Sequence, residues 1–275
     1  MNEELKKKLL ADLQRSGIQT ELEVRKVFTE QGWSVGGAGA YLDLDEGKSR
    51  EIDASAHRVS NLKVNGEICV YNEFHVVAEV KKSERPWIVL KRNLSKWSSS
   101  CAWDNLVSYV NLPCEPARLA KSLEHYSLLK VHGWEGSGIH EAFKNPDQPT
   151  RWYSAFTSVL KASSGSLSEY ASHGDRTTND IRENPTEVRF VQPLVVLDGT
   201  LVTAELAGGE ILLQEVQSAA FRFEYKTGSY TKGRYRVDLV TLGGLADYLK
   251  LVAARQESFN QGIAANVDFS FDKNS

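Results

Sequence analysis

Asp53, Glu79 and Lys81 are the residues of this chain whose types and spacing best suit chemistry. Two neighbouring carboxylates can hold a divalent cation, and a lysine beside them can orient water and stabilise charge developing on a phosphate. Each residue sits in an apolar run, Arg-Glu-Ile-Asp-Ala-Ser-Ala at 50–56 or Val-Val-Ala-Glu-Val-Lys-Lys at 76–82. Carboxylates in such runs are costly to desolvate unless something compensates them. A cation would do so, and so would an ion pair with Lys81 at the sheet surface.

The elements that must position these residues are two strands and the turn between them. Asn65-Gly66 is a strong hairpin signal. Asp53 lies 12 residues before Asn65 and Glu79 lies 13 after Gly66, so folding the hairpin returns both carboxylates to one level. Within the second strand Glu79 and Lys81 face one way, Ala78 and Val80 the other. A strict two-residue turn pairs Asp53 with Ala78 and sends Glu79 to the wrong face, and a single β-bulge restores convergence.

Two helices precede the strands. Leu5, Leu9, Leu10 and Leu13 have helical spacing up to a break at Ser16-Gly17. Thr20 with Glu23 three residues on forms a capping box for a second helix that buries Leu22, Val24, Val27 and Phe28 and stops at Gly32. Trp33–Leu44 reads as a first strand bent at Gly36–Gly39. Asp43 and Asp45 superficially suggest a calcium loop, but position 12 of that loop is Ala54 rather than glutamate, which excludes it.

This pattern resembles the PD-(D/E)XK, or restriction-endonuclease-like, nuclease superfamily. Its aspartate is matched by Asp53 in Glu-Ile-Asp and its Glu-X-Lys by Glu79-Val80-Lys81; Ile52 stands where the name implies proline. The resemblance also implies an acidic residue on the preceding helix. Glu21 fits, lying 11 residues before Gly32, whereas Glu23 already has a capping role. What the resemblance implies is an α/β fold with an αβββαβ core, its mixed central sheet flanked by helices. It further implies a magnesium site, with manganese as substitute, held by Asp53, Glu79 and the Val80 carbonyl. Lys81 would act on the attacking water, and Glu21 would tether a metal-bound water or a second ion. The expected activity is hydrolysis of phosphodiesters, in DNA first of all. The competing expectation is a catalytically silent module that keeps the fold to bind nucleic acid or a protein.

Lys81–Lys96 holds six basic residues and one acidic, Glu84, with Trp87, Trp97 and Trp103 in or just after it. Basic side chains interleaved with aromatics suit a phosphate backbone and exposed bases, so Lys82, Arg85, Lys91 and Arg92 are the candidate nucleic-acid contacts. The alternative is a strand with solvated lysines and core tryptophans. A net charge of −3 excludes general coating of polyanions and makes any such contact local.

The 275 residues and their 41% hydrophobic content support one domain over 1–255, with 83–150 inserted between core strand and core helix, and a frayed or late-docking tail over 256–275. Helices are expected over 115–130 and 151–171, a polar loop over 172–187, and a strand at 190–197 answered by 201–204 across Asp198-Gly199. Further strands at 211–217, 219–226 and 234–241 precede a helix over 242–253. Cys69, Cys101 and Cys114 suggest neither a disulfide framework nor a zinc site. His57 and His75 fall on the hairpin, where lone histidines are most often structural. With no signal-peptide core and no long apolar span, the expected location is the cytoplasm, and a homodimer is compatible with the sequence.

Overall fold

The structure is a computed structural model and describes residues 1–36, 39–64, 67–94, 106–110, 127–145, 147–173 and 186–266. It opens with α1 (Glu3–Ser16), whose N-terminus is capped by the Asn2 side chain accepting from the Glu4 N–H at 3.0 Å. The helix buries nothing: Leu5, Leu9, Leu10 and Leu13 all stay exposed. Gly17, at φ 87, ends it in the left-handed conformation and leads straight into α2 (Ile18–Glu30). The helix therefore starts before Thr20, and the expected capping box does not form. Thr20 is instead buried, donating its hydroxyl to Asp198 Oδ2 at 2.8 Å, while Glu23 accepts from Gln19 Nε2. Thr20, Val24 and Phe28 make one i,i+4 stripe facing the core. Leu22 lies off that stripe and is exposed, contrary to expectation.

The single strand expected over Trp33–Leu44 is two: β1 (Ser34–Val35) and β2 (Gly39–Asp43). β2 pairs with β3 (Lys48–Ile52) in a separate two-stranded sheet, and Asp53 occupies the bend before β4 (Ala54–Val64). β4 pairs antiparallel with β5 (Glu67–Lys82) from Ala54↔Ala78 to Leu62↔Val70, then shifts by one residue to Lys63↔Ile68. That shift is the β-bulge. Residues 65–66 themselves lie outside the described residues.

Residues 83–150 supply β6 (Trp87–Asn93), β7 (Leu106–Val110), the short α3 (Leu128–His132) and β8 (Trp134–Glu141). Of the helix expected over 115–130 only 127–130 lie within the described residues, where α3 begins at Leu128. Next come α4 (Arg151–His173) and β9 (Thr186–Asp198), which runs parallel to β5 from Val70↔Thr186 to Lys82↔Asp198. The chain ends with β10 (Leu201–Ala207), β11 (Glu210–Glu215), β12 (Ser218–Tyr225), β13 (Gly233–Thr241), a 3₁₀ turn (Leu242–Gly244) and α5 (Leu245–Asn266). Among the described residues the main sheet runs β1-β4-β5-β9-β13-β12-β8-β6-β10-β11, with β7 also on β9. The stretch between β5 and α4 thus contributes strands to the main sheet rather than standing apart from it.

The expected β9–β10 hairpin is absent, because both edges of β9 are taken by β5 on one side and by β13 and β7 on the other. β10 instead runs parallel to β6. Each of the pairs β5–β6 and β9–β10 continues past one corner, where Ser83 N–H donates to Asp198 O and Trp87 N–H to Thr200 O, both at 2.9 Å. A Cβ at Gly199 would lie 2.5 Å from Ser83 O, so this glycine permits close backbone approach rather than a hairpin turn.

Side chains alternate along β5, so Val76 and Ala78 join α2 and α5 in one core while Val77 joins Phe156, Leu160 and Trp87 in another beneath α4. The fold is α/β, a mixed sheet with helices on both faces. The tail expected from residue 256 is helical through Asn266: Gln256, Phe259, Asn260 and Ile263 are buried, and Gln256 Nε2 donates to the carbonyls of Arg58 and Asn72. Residues 267–275 lie outside the described residues. No helix among the described residues is long and apolar enough to cross a membrane.

Candidate active site

An open cleft of about 890 Å³ lies where α1, α2, the Asp53 bend, the end of β5 and the loop before α4 meet. Glu21, Asp53, Val80 and Lys81 line it. The register extended by one residue sets Asp53 level with Glu79, and the Asp53 carboxylate accepts from the Val80 N–H at 2.7 Å. A strand residue's N–H and C=O project to the same side, so the Val80 carbonyl is turned toward Asp53 as well. Arg25 Nη2 holds the Asp53 carbonyl at 2.8 Å and fixes the bend. Glu79, nearly buried, bonds to Lys81 Nζ at 2.5 Å, the pairing that alternation along β5 requires.

Burial raises the Glu79 pKa, and the charges of Asp53 and Glu21 raise it further against the opposing pull of Lys81. Glu21 is raised in the same way, by burial first and then by Asp53. Three acids from α2, the bend and β5 therefore act on one another at close range. Oxygen donors with mutual repulsion suit a hard divalent cation, and Asp53, Glu79 and the Val80 carbonyl form such a donor set. In the arrangement observed Glu79 is turned to Lys81, and among the described residues no group of three His, Cys, Asp or Glu side chains is close enough to hold a metal. The ammonium of Lys81 occupies the electrostatic role that a cation would take.

A carboxyl whose pKa rises on folding binds its proton more tightly in the folded state. It adds stability at low pH, and that stability is lost as pH climbs through the raised value. Glu21→Gln is accordingly expected to raise the melting temperature of the metal-free protein at pH 7. The gain should vanish below the ordinary glutamate value of 4.5. Melting curves across pH check this, and a variant less stable than wild type at pH 7 would reject it.

The four basic candidates divide. Lys82 and Arg85 line the cleft, whereas Lys91 and Arg92 do not. Lys91 is paired with Glu205 at 2.5 Å and Arg92 with the buried Glu135, which also takes Arg222. Trp87 is fully buried, and Trp97 and Trp103 lie outside the described residues. Neither histidine lines the cleft. Burial and Arg189 lower the His75 pKa to about 4, and its Nδ1 meets the Ser166 hydroxyl at 2.9 Å. Asp43 and Asp45 both bind Lys161, at 2.8 and 3.0 Å, so a lysine neutralises the pair that resembled a calcium loop.

Sequence reasoning missed three cleft residues. Arg151 reaches the Lys82 carbonyl at 2.8 Å, Glu141 accepts from the backbone N–H groups of Arg151 and Trp152 at the start of α4, and Lys144 lies between them in the chain. The carboxylate at a helix N-terminus has a physical motive in the helix dipole, but no local spacing announces it. No protein-family model, curated protein or solved structure matches the chain.

Proposed function

We propose that this protein is a divalent-metal-dependent nuclease that hydrolyses phosphodiesters in DNA, built on a restriction-endonuclease-like core. The observation that carries the reading is the gathering of Glu21, Asp53, Glu79 and Lys81, from three separate elements, at one cleft with mutually raised acids. The order of elements supports it: α2, the strands ending in the β4–β5 hairpin, then α4 and the parallel β9. Magnesium or manganese, held by Asp53, Glu79 and the Val80 carbonyl, would polarise the phosphate and acidify water. Lys81 then donates from its ammonium to the phosphate oxygen on which charge develops. Glu21, on the opposite wall, accepts a hydrogen bond from the attacking water and aims it. Lys82 and Arg85 hold flanking phosphates. Plasmid and labelled oligonucleotides incubated with and without magnesium test the reading, and products must appear only with the metal.

A second reading is favoured by the Glu79–Lys81 ion pair, which already neutralises the site. On it the fold binds nucleic acid without cutting. Binding without cleavage in magnesium or manganese would select this reading.

Salt dependence separates the basic residues. Each phosphate contact contributes about 0.9 to the slope of log affinity against log salt on duplex DNA. Neutralising Lys82 and Arg85 together should flatten the slope by about 2 units. Neutralising Lys91 and Arg92, which are engaged with Glu205 and Glu135, should leave it unchanged. A salt titration showing the reverse would move the groove to the β6 face.

A further inference from the structure

Phe143 is 85% exposed and holds φ 56, the only positive φ of a non-glycine among the described residues. A bulky side chain disfavours that conformation, and here it buries almost nothing in return. Glycine would make the same turn without strain. The fold's own stability therefore supplies no reason for phenylalanine at this position.

The location supplies one. Phe143 stands between Glu141 and Lys144, both lining the cleft, and Ala142 N–H donates to Pro86 O at 2.9 Å, tying its turn to that of Arg85. An exposed aromatic ring thus stands on a fixed turn at the rim of a cleft whose walls carry Lys82, Arg85 and Lys144. Positive charge for the backbone with an aromatic face for the bases is the chemistry of single-strand binding. Bases stacked inside a duplex offer no face to a ring at the rim.

Resting on the nuclease reading, we propose that Phe143 is a stacking platform for an unpaired base, and that the cleft takes single-stranded nucleic acid. The backbone of the strand follows Lys144, Arg85 and Lys82 past Asp53, and one base lies against the ring. The fixed turn reduces the entropy lost when the ring is ordered by binding.

Anisotropy and fluorescence with a single-stranded oligonucleotide carrying 2-aminopurine, in EDTA to prevent cleavage, test this alongside a duplex of the same sequence. Phe143→Ala is expected to weaken single-strand binding about five- to a hundredfold, the worth of one stacked base. It should also relieve 2-aminopurine quenching, Phe143→Trp should keep both, and duplex affinity should change less than about twofold. Phe143→Gly should lose the same affinity with an unfolding midpoint no lower than wild type, separating lost binding from lost fold. Wild-type affinity and quenching in Phe143→Ala would overturn the inference and leave the nuclease reading standing. Equal losses on single strand and duplex would overturn the single-strand assignment. Failure of the wild-type protein to bind either nucleic acid would overturn both.

Discussion

Replacing Lys81 with alanine is expected to lower metal-dependent cleavage by about 10²–10³-fold, the usual loss when one preorganised donor to developing charge is removed. The same variant should bind magnesium at least as tightly as wild type. Lys81 lowers the pKa of Glu79 while Asp53 and Glu21 raise it, and its ammonium holds a Glu79 oxygen at 2.5 Å. Removing it releases that carboxylate as a ligand and leaves the site more negative. The two measurements, cleavage rate and magnesium titration by calorimetry, therefore move in opposite directions. A purely structural Lys81 predicts neither. Cleavage unchanged in Lys81→Ala would reject the mechanism.

Asp238→Ala should produce the largest loss of stability, about 3–5 kcal/mol, because it strips the carboxylate partner from a buried guanidinium. Asp238 and Arg236 are both buried on β13; Arg236 donates from Nε and Nη2 at 3.0 and 2.8 Å, and the Tyr248 hydroxyl adds a bond at 2.9 Å. Burial and the Asp238 charge push the Tyr248 pKa well up, so the phenol remains a donor. Set against a typical domain stability of about 5–15 kcal/mol, the loss approaches global unfolding. Urea denaturation measures it. An Arg236→Met/Asp238→Leu double variant should recover much of the deficit, since no charge is then left buried. A loss below about 1 kcal/mol in Asp238→Ala would show that water reaches the site.

Local pattern made the hairpin, its bulge and α4 legible. The placing of Asp53 and Glu79 around Asn65-Gly66 demanded one extra residue, and the register shift lies between Leu62 and Lys63. Trp152, Phe156, Val159 and Leu160 marked α4 because one of its faces is a core face. Strand partnership was not legible. Asp198-Gly199 reads locally as a hairpin turn, yet Gly199 lacks the left-handed φ such a turn needs, and its small size answers to Ser83, more than a hundred residues earlier. The ion pairs of Lys91 and Arg92 were hidden for the same reason, since Glu205 and Glu135 are brought to them by sheet order. At the cleft the Glu-X-Lys spacing displayed the acids and the lysine. The rim residues Lys144 and Phe143 come from a turn whose neighbours only the folded chain supplies.

The contacts of α5 carry a consequence for how the protein is made. Asn260 donates to the Ser60 hydroxyl at 2.8 Å and Gln256 to two carbonyls of the β4–β5 hairpin, across separations of 184 to 200 residues. At about 5–20 residues per second, a ribosome takes on the order of 10–40 seconds to travel from the hairpin to the helix that covers it. During that interval the strand bearing Glu79 and Lys81 has emerged, but one of its faces lacks its cover and β9 has yet to complete its edge. The nascent hairpin is thus a chaperone client by construction, and the geometry of the cleft belongs to the chain only after α5 has been synthesised and docked.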